Sequence, residues 1–158
     1  MARPVAYGQA FGGRLVVQAP TAASVSFRAE GGRFCYKNAA GNVMIASNNA
    51  ENLLGWAETS GTWSSSATAA ANIIAINISD EAVFEMPIVS AITESTCKGL
   101  IGKLTDIEVI SDIQYVNCDA SSTNMLQVIG YKFYGTAVGE QSLLVKKCPR
   151  TASFTGAS

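Results

Sequence analysis

The sequence predicts an all-β protein, a small barrel or sandwich, on three observations. Short runs of alternating apolar and polar residues recur along the chain, Gly/Asn/Ser/Asp turns separate them, and no stretch carries an amphipathic helix of several turns. The first strands come from Arg33–Glu58. Phe34 and Tyr36 share one side of a strand, with Arg33, Cys35 and Lys37 on the other. After the turn Asn38-Ala39-Ala40-Gly41, Val43 and Ile45 again fall on one side. Gly41 supplies the positive φ that closes such loops. This alternation reads as a half-buried hairpin.

The remaining elements follow in order. Residues 1–22 are rich in Gly, Ala and Pro, interrupted by Leu15-Val16-Val17, and read as an extended N-terminal arm with one short strand. Strands are expected near 23–29, 33–37, 42–47 and 53–58. Thr59–Ala71 reads as a polar loop around Trp63, which either marks a contact or folds back onto the sheet. Ile74, Ile76 and Ile78 share one face of the next strand. Phe84 and Met86 then point one way and Val83 and Glu85 the other, up to Pro87. Thr93–Lys98 predicts one helical turn, with Thr93 as cap and Glu94 in the first turn. A strand at 106–110 turns at Ser111-Asp112 into 113–118. Asp119–Asn124 is a polar turn, and strands at 125–134 and 142–148 complete a β domain over 23–148, followed by a C-terminal tail, 149–158. No internal repeat and no second domain are read from the sequence.

A chain of 158 residues buries roughly 70% of its unfolded surface, so the core needs no staple. Only 15% of residues are charged, against roughly 25% in average soluble chains, which suits a surface covered by partners. Residues 1–33 hold Arg3, Arg14, Arg28 and Arg33 against Glu30, and 146–158 add Lys146, Lys147 and Arg150. Each end is thus +3, while the body is −7. These basic ends suit an acidic protein surface or nucleic acid, or are simply solvated.

Little in the sequence points to chemistry. With no histidine, Ser-His and Cys-His nucleophiles are excluded, and so is a mixed Cys/His zinc site. Cys35, Cys97, Cys118 and Cys148 have no metal spacing and read as free thiols, with Cys35, Cys118 and Cys148 as core or sheet residues and disulfides open to a particle outside the cell. Two carboxylate groups, Asp80/Glu81/Glu85 and Asp106/Glu108/Asp112, read as solvated faces rather than acid–base pairs. Gly12-Gly13 and Gly31-Gly32 lack the helix and lysine of a phosphate loop. Tyr131, Phe133 and Tyr134 lack the basic groove that base stacking requires. The N-terminus does not read as a secretory signal, and no run reaches the ~20 apolar residues of a membrane span. No catalytic residue, cofactor or metal is expected.

With its Gly/Ala-rich segment Ala2–Ala22 ahead of a histidine-free β domain, the chain resembles the capsid decoration (cement or auxiliary) proteins of tailed bacteriophages. The strands Phe34–Lys37, Ile73–Ile78, Asp106–Ile110 and Met125–Tyr134 carry the likeness. It implies a structural virion protein, assembled in the host cytoplasm, that binds the outer surface of an icosahedral shell and bridges capsomers. The implied partners are the major capsid protein and further copies of itself as a homotrimer, with no nucleic acid, membrane or small-molecule substrate. Arg3, Arg14, Leu15, Val16, Val17 and Trp63 are the expected contact residues, with Leu15-Val16-Val17 adding a strand to a neighbour's sheet. Two alternatives are a tail-tube, head–tail connector or spike-tip protein, and a carbohydrate-binding or carbohydrate-cleaving domain. The latter would use Trp56, Trp63 and Tyr36 as a sugar platform and Glu81 or Glu85 as acid.

Overall fold

The computed structural model describes residues 8–28, 32–47, 53–59, 61–65, 72–118, 125–138 and 140–148. In chain order the strands are β1 (Gly8–Phe11), β2 (Val16–Pro20), β3 (Ser26–Phe27), β4 (Phe34–Lys37), β5 (Val43–Ile45), β6 (Gly55–Ala57), β7 (Trp63–Ser64), β8 (Ile73–Asn77) and β9 (Val83–Pro87). One helix, α1 (Glu94–Leu100), precedes β10 (Leu104–Ile110), β11 (Ile113–Asn117), β12 (Leu126–Phe133) and β13 (Gln141–Lys147). The protein is all-β with one short helix, as expected. It is not a closed barrel.

Local chemistry explains the turns. Asn38 Oδ1 accepts from the N–H groups of Ala40 and Asn42, and Gly41 (φ 83°) completes the β4–β5 hairpin. Ser111 and Asp112 both take positive φ, the geometry of a two-residue hairpin turn, and join β10 to β11. Thr93 Oγ1 accepts from the Thr96 N–H and caps α1, with Glu94 in its first turn.

The strands form a five-stranded sheet, β2-β8-β6-β4-β5, a six-stranded sheet, β1-β9-β13-β12-β10-β11, and a small ribbon, β3-β7. Set β1 aside, and the two larger sheets have the same topology: first, fifth, fourth, second and third strand in chain order. The pairings common to both agree in register. Pro20–Ile73, Ala19–Ile74, Gln18–Ala75 and Val17–Ile76 correspond to Pro87–Ser142, Met86–Leu143, Glu85–Leu144 and Phe84–Val145. Trp56–Asn77 and Ala57–Ile76 correspond to Gln127–Lys146 and Val128–Val145. Phe34–Trp56 and Cys35–Gly55 correspond to Leu104–Gln127 and Thr105–Leu126. Tyr36–Met44 and Lys37–Val43 correspond to Asp106–Asn117 and Ile107–Val116.

Each sheet also curls until its first strand meets its third through one parallel bridge, Thr21–Val43 or Ile88–Val116. In both, the next residue donates to the bridge partner: Ala22 N–H to Val43 C=O and Val89 N–H to Val116 C=O. The chain thus carries one five-stranded topology twice in succession. This corrects the expectation of no internal repeat. The primary structure keeps two traces: Val16 and Pro20 recur as Val83 and Pro87, and Gly32-Arg33-Phe34 recurs as Gly102-Lys103-Leu104.

Each curl wraps an apolar filling, and that of the second is continuous with Phe34, Ala46 and Trp56 of the first unit. Ala19, Cys35, Val43, Ala57, Ile74 and Ile76 fill the first, with Phe27 and Trp63 of the ribbon packed against them. Met86, Ile107, Val116, Val128, Leu143 and Val145 fill the second. Cys35 is therefore as buried as Phe34, so β4 is covered on both faces at its start and opens to solvent at Lys37.

The segment expected to be an arm is, over its described residues, part of both sheets. β1 pairs antiparallel with β9, and β2 pairs with β8. Gly12 (φ 101°) turns the chain from one sheet to the other against the Glu81 carbonyl, where a Cβ would collide. The Gln9 side chain donates to the carbonyls of Gly12 and Gly13. Arg3 and the tail 149–158 lie outside the described residues, as do 66–71 and 119–124.

Candidate functional site

The two units meet through an unequal contact. Trp56 and Phe34, on the outward face of the first sheet, pack on Phe84 in the first strand of the second. Trp56 stacks on Phe84 with centroids 4.4 Å apart, and Phe34 meets both rings edge-on. Gln114 of β11 reaches across to β4 and β5. Its amide accepts from Phe34 N–H (2.9 Å) and donates to Phe34 C=O (2.7 Å) and Ala46 C=O (2.9 Å). Lys147 of β13 donates to the carbonyls of Leu54 and Ile78 and pairs with Asp80. The aromatic part of the joint thus sets strands two and four of the first unit against strand one of the second, while Gln114 and Lys147 on strands three and five of the second reach backbone groups in or beside strands two to five of the first.

The strongest polar cluster surrounds Glu85 on β9. Its Oε1 accepts from Ser142 Oγ (2.9 Å) and Tyr134 OH (2.9 Å), and its Oε2 from Lys132 Nζ (3.0 Å). Burial pushes this carboxyl up, but the bonds from Lys132, Ser142 and Tyr134 outweigh it and hold its pKa below the ordinary value. A general acid needs the opposite shift. Glu85 is also buried, so the expected solvated face does not hold for it. Asp106 is buried as well, and Glu108 accepts from Asn117 Nδ2.

The basic ends are partly consumed inside the fold. Arg33 is buried; burial lowers its pKa, and it donates to the carbonyls of Arg28, Thr59 and Gly61 above the Phe27 ring. Lys147 serves the joint between the units. Both were expected among cations offered to a partner. Sequence reasoning missed these roles, and that of Gln114, because most of the partners are backbone groups and nearly all are distant in the chain.

Of the expected contact residues, Arg14 is exposed and paired with Glu58 (2.8 Å). Leu15 and Val17 are exposed on the first strand of the first unit, while Val16 is half-buried. Trp63 is half-buried against Phe27. The sugar platform is not assembled, because Trp56 is enclosed between Phe34 and Phe84 and Trp63 lies on a different sheet. Burial pushes the Cys35 thiol up to about 12 and also raises that of Cys97. An open cleft of about 280 Å³ lies beside the start of α1, lined by Ala91, Ile92, Thr93, Glu94, Phe133 and Thr136. Among the described residues no His/Cys/Asp/Glu group has the geometry to hold a metal ion.

No protein family, curated protein or solved structure matches this chain.

Proposed function

We propose that the protein is a structural virion component, a decoration or cement protein bound to the outside of an icosahedral phage shell and bridging capsomers. One observation carries this reading. The polar groups best placed for chemistry, Glu85, Gln114, Arg33 and Lys147, are tied into internal joints, whereas Leu15, Val17, Leu104 and Ile129 stand exposed on strand faces. Exposed apolar side chains on strand faces suit a molecule that adheres to large partners. Many modest contacts repeated over a lattice make such a layer durable. The test is co-sedimentation with empty shells assembled from the major capsid protein of the same genome, followed by electron microscopy. Saturable binding with added density on the outer shell supports the proposal, and absence of binding overturns it.

A second reading, a tail-tube or head–tail connector component, draws support from the unequal contact between units, which suits ring building. Density at the tail or portal, with rings of copies, would favour it over decoration.

A further inference from the structure

The joint between the units is heterologous: two different faces meet, and each face exists twice in the duplicated chain. The face that receives is built on the first strand. In the second unit it presents Ala82 and Phe84, both buried against Trp56 and Phe34. The equivalent positions in the first unit are Leu15 and Val17, and they stand 59% and 36% exposed. The face that inserts is built on the second and fourth strands. In the first unit it presents Phe34 and Trp56, both buried. Its equivalents in the second unit are Leu104 and Gln127, with Ile129 beside them; Leu104 is 37% and Ile129 36% exposed.

The contact made once inside the chain therefore leaves one receiving face and one inserting face uncovered. Leu15, Val17, Leu104 and Ile129 on these faces are apolar, Gln127 stands where the first unit has Trp56, and none of the five carries the charge that exposed strands normally do. The fold itself indicates what covers each: the complementary face of the duplicated unit.

We propose that copies of this chain associate head to tail, the Leu15–Val17 face of one receiving the Leu104–Ile129 face of the next, in the arrangement the two units adopt within the chain. A contact of this kind uses two different surfaces, so it generates rings when the rotation closes and filaments when it does not. The association depends on the duplication alone and is independent of attachment to a capsid.

The test uses the full chain and two surface variants, Leu15→Glu and Leu104→Glu, in native mass spectrometry and light scattering. The wild type is expected to form oligomers, and each variant alone to be monomeric. Mixed in equal amounts, with one isotope-labelled, they are expected to form a one-to-one heterodimer, since each retains the face the other has lost. Circular dichroism checks that the variants fold; the pair Val17→Lys and Ile129→Lys repeats the test if either does not. A monomeric wild type, an oligomeric single variant, or a mixture without heterodimer overturns the proposal. A monomeric wild type that still binds shells would remove head-to-tail association and leave the decoration reading standing.

Discussion

Gln114 completes a β-ladder to which it does not belong. Ala46 N–H bonds Phe34 C=O directly at 2.9 Å, whereas Phe34 N–H and Ala46 C=O are joined through the side-chain amide of Gln114 from the other unit. A buried amide that satisfies one backbone donor and two acceptors has no apolar substitute, because the stranded groups lose water without gaining a partner.

Gln114→Leu is therefore expected to cost about 3 kcal/mol, since each orphaned buried group costs roughly 1–3 kcal/mol. Urea denaturation should show a lower midpoint with an unchanged slope. A loss below about 0.5 kcal/mol would mean that the amide contributes nothing beyond packing.

Glu85 should set part of the acid limb of stability. Its folded pKa lies below the ordinary carboxylate value, so its contribution is complete above that value. The contribution disappears as pH falls through the folded pKa. Glu85→Gln should lower the melting temperature at neutral pH, by the equivalent of about 2 kcal/mol for a charged hydrogen-bond cluster. It should also flatten the decline below about pH 4.5. Parallel melting curves for the two proteins from neutral to acid pH would sink this assignment.

Two glycines with similar backbone angles should respond differently. Gly41 (φ 83°) has open space around it, so Gly41→Ala carries only the left-handed strain, about 1–2 kcal/mol. Gly12 (φ 101°) faces the Glu81 carbonyl, so Gly12→Ala adds a backbone collision and should cost distinctly more. Equal losses in thermal unfolding would contradict the close approach.

Cys35 donates its S–H to the Gly55 carbonyl and is fully buried, with its pKa pushed up to about 12. Its native-state alkylation should be negligible at neutral pH and limited by unfolding. Peptide mapping after brief iodoacetamide treatment should find Cys35 modified only in denaturant.

How much of this was legible beforehand depended on the range over which each cause acts. The Asn38–Gly41 turn, the Thr93 cap and the Ser111-Asp112 turn are set by residues within a few positions of one another, and the sequence displays them. The duplication is different. Its registers agree throughout, but the interiors are refilled, Ala19 by Met86 and Ala57 by Val128, and the connections diverge, with β3 in one unit where α1 stands in the other. Only Val-x-x-x-Pro and the Gly-Arg-Phe/Gly-Lys-Leu pair survive as visible repeats. Glu85 and Asp106 looked solvated because alternation reports which side of a strand a residue takes, not whether another strand covers that side.

The central position of β13 has a consequence for synthesis on the ribosome. This last strand lies between β9 and β12, so the second sheet stays split until the final residues emerge. β8 plays the same part earlier, between β2 and β6, and lets the first unit form while translation continues. Until β9 follows, Trp56 and Phe34 of the nascent chain have no cover. Chains released before Gln141 should therefore be cleaved readily by protease at β9–β12 and resist it at β2, β4, β6 and β8, and uniform sensitivity would rule out this order of events.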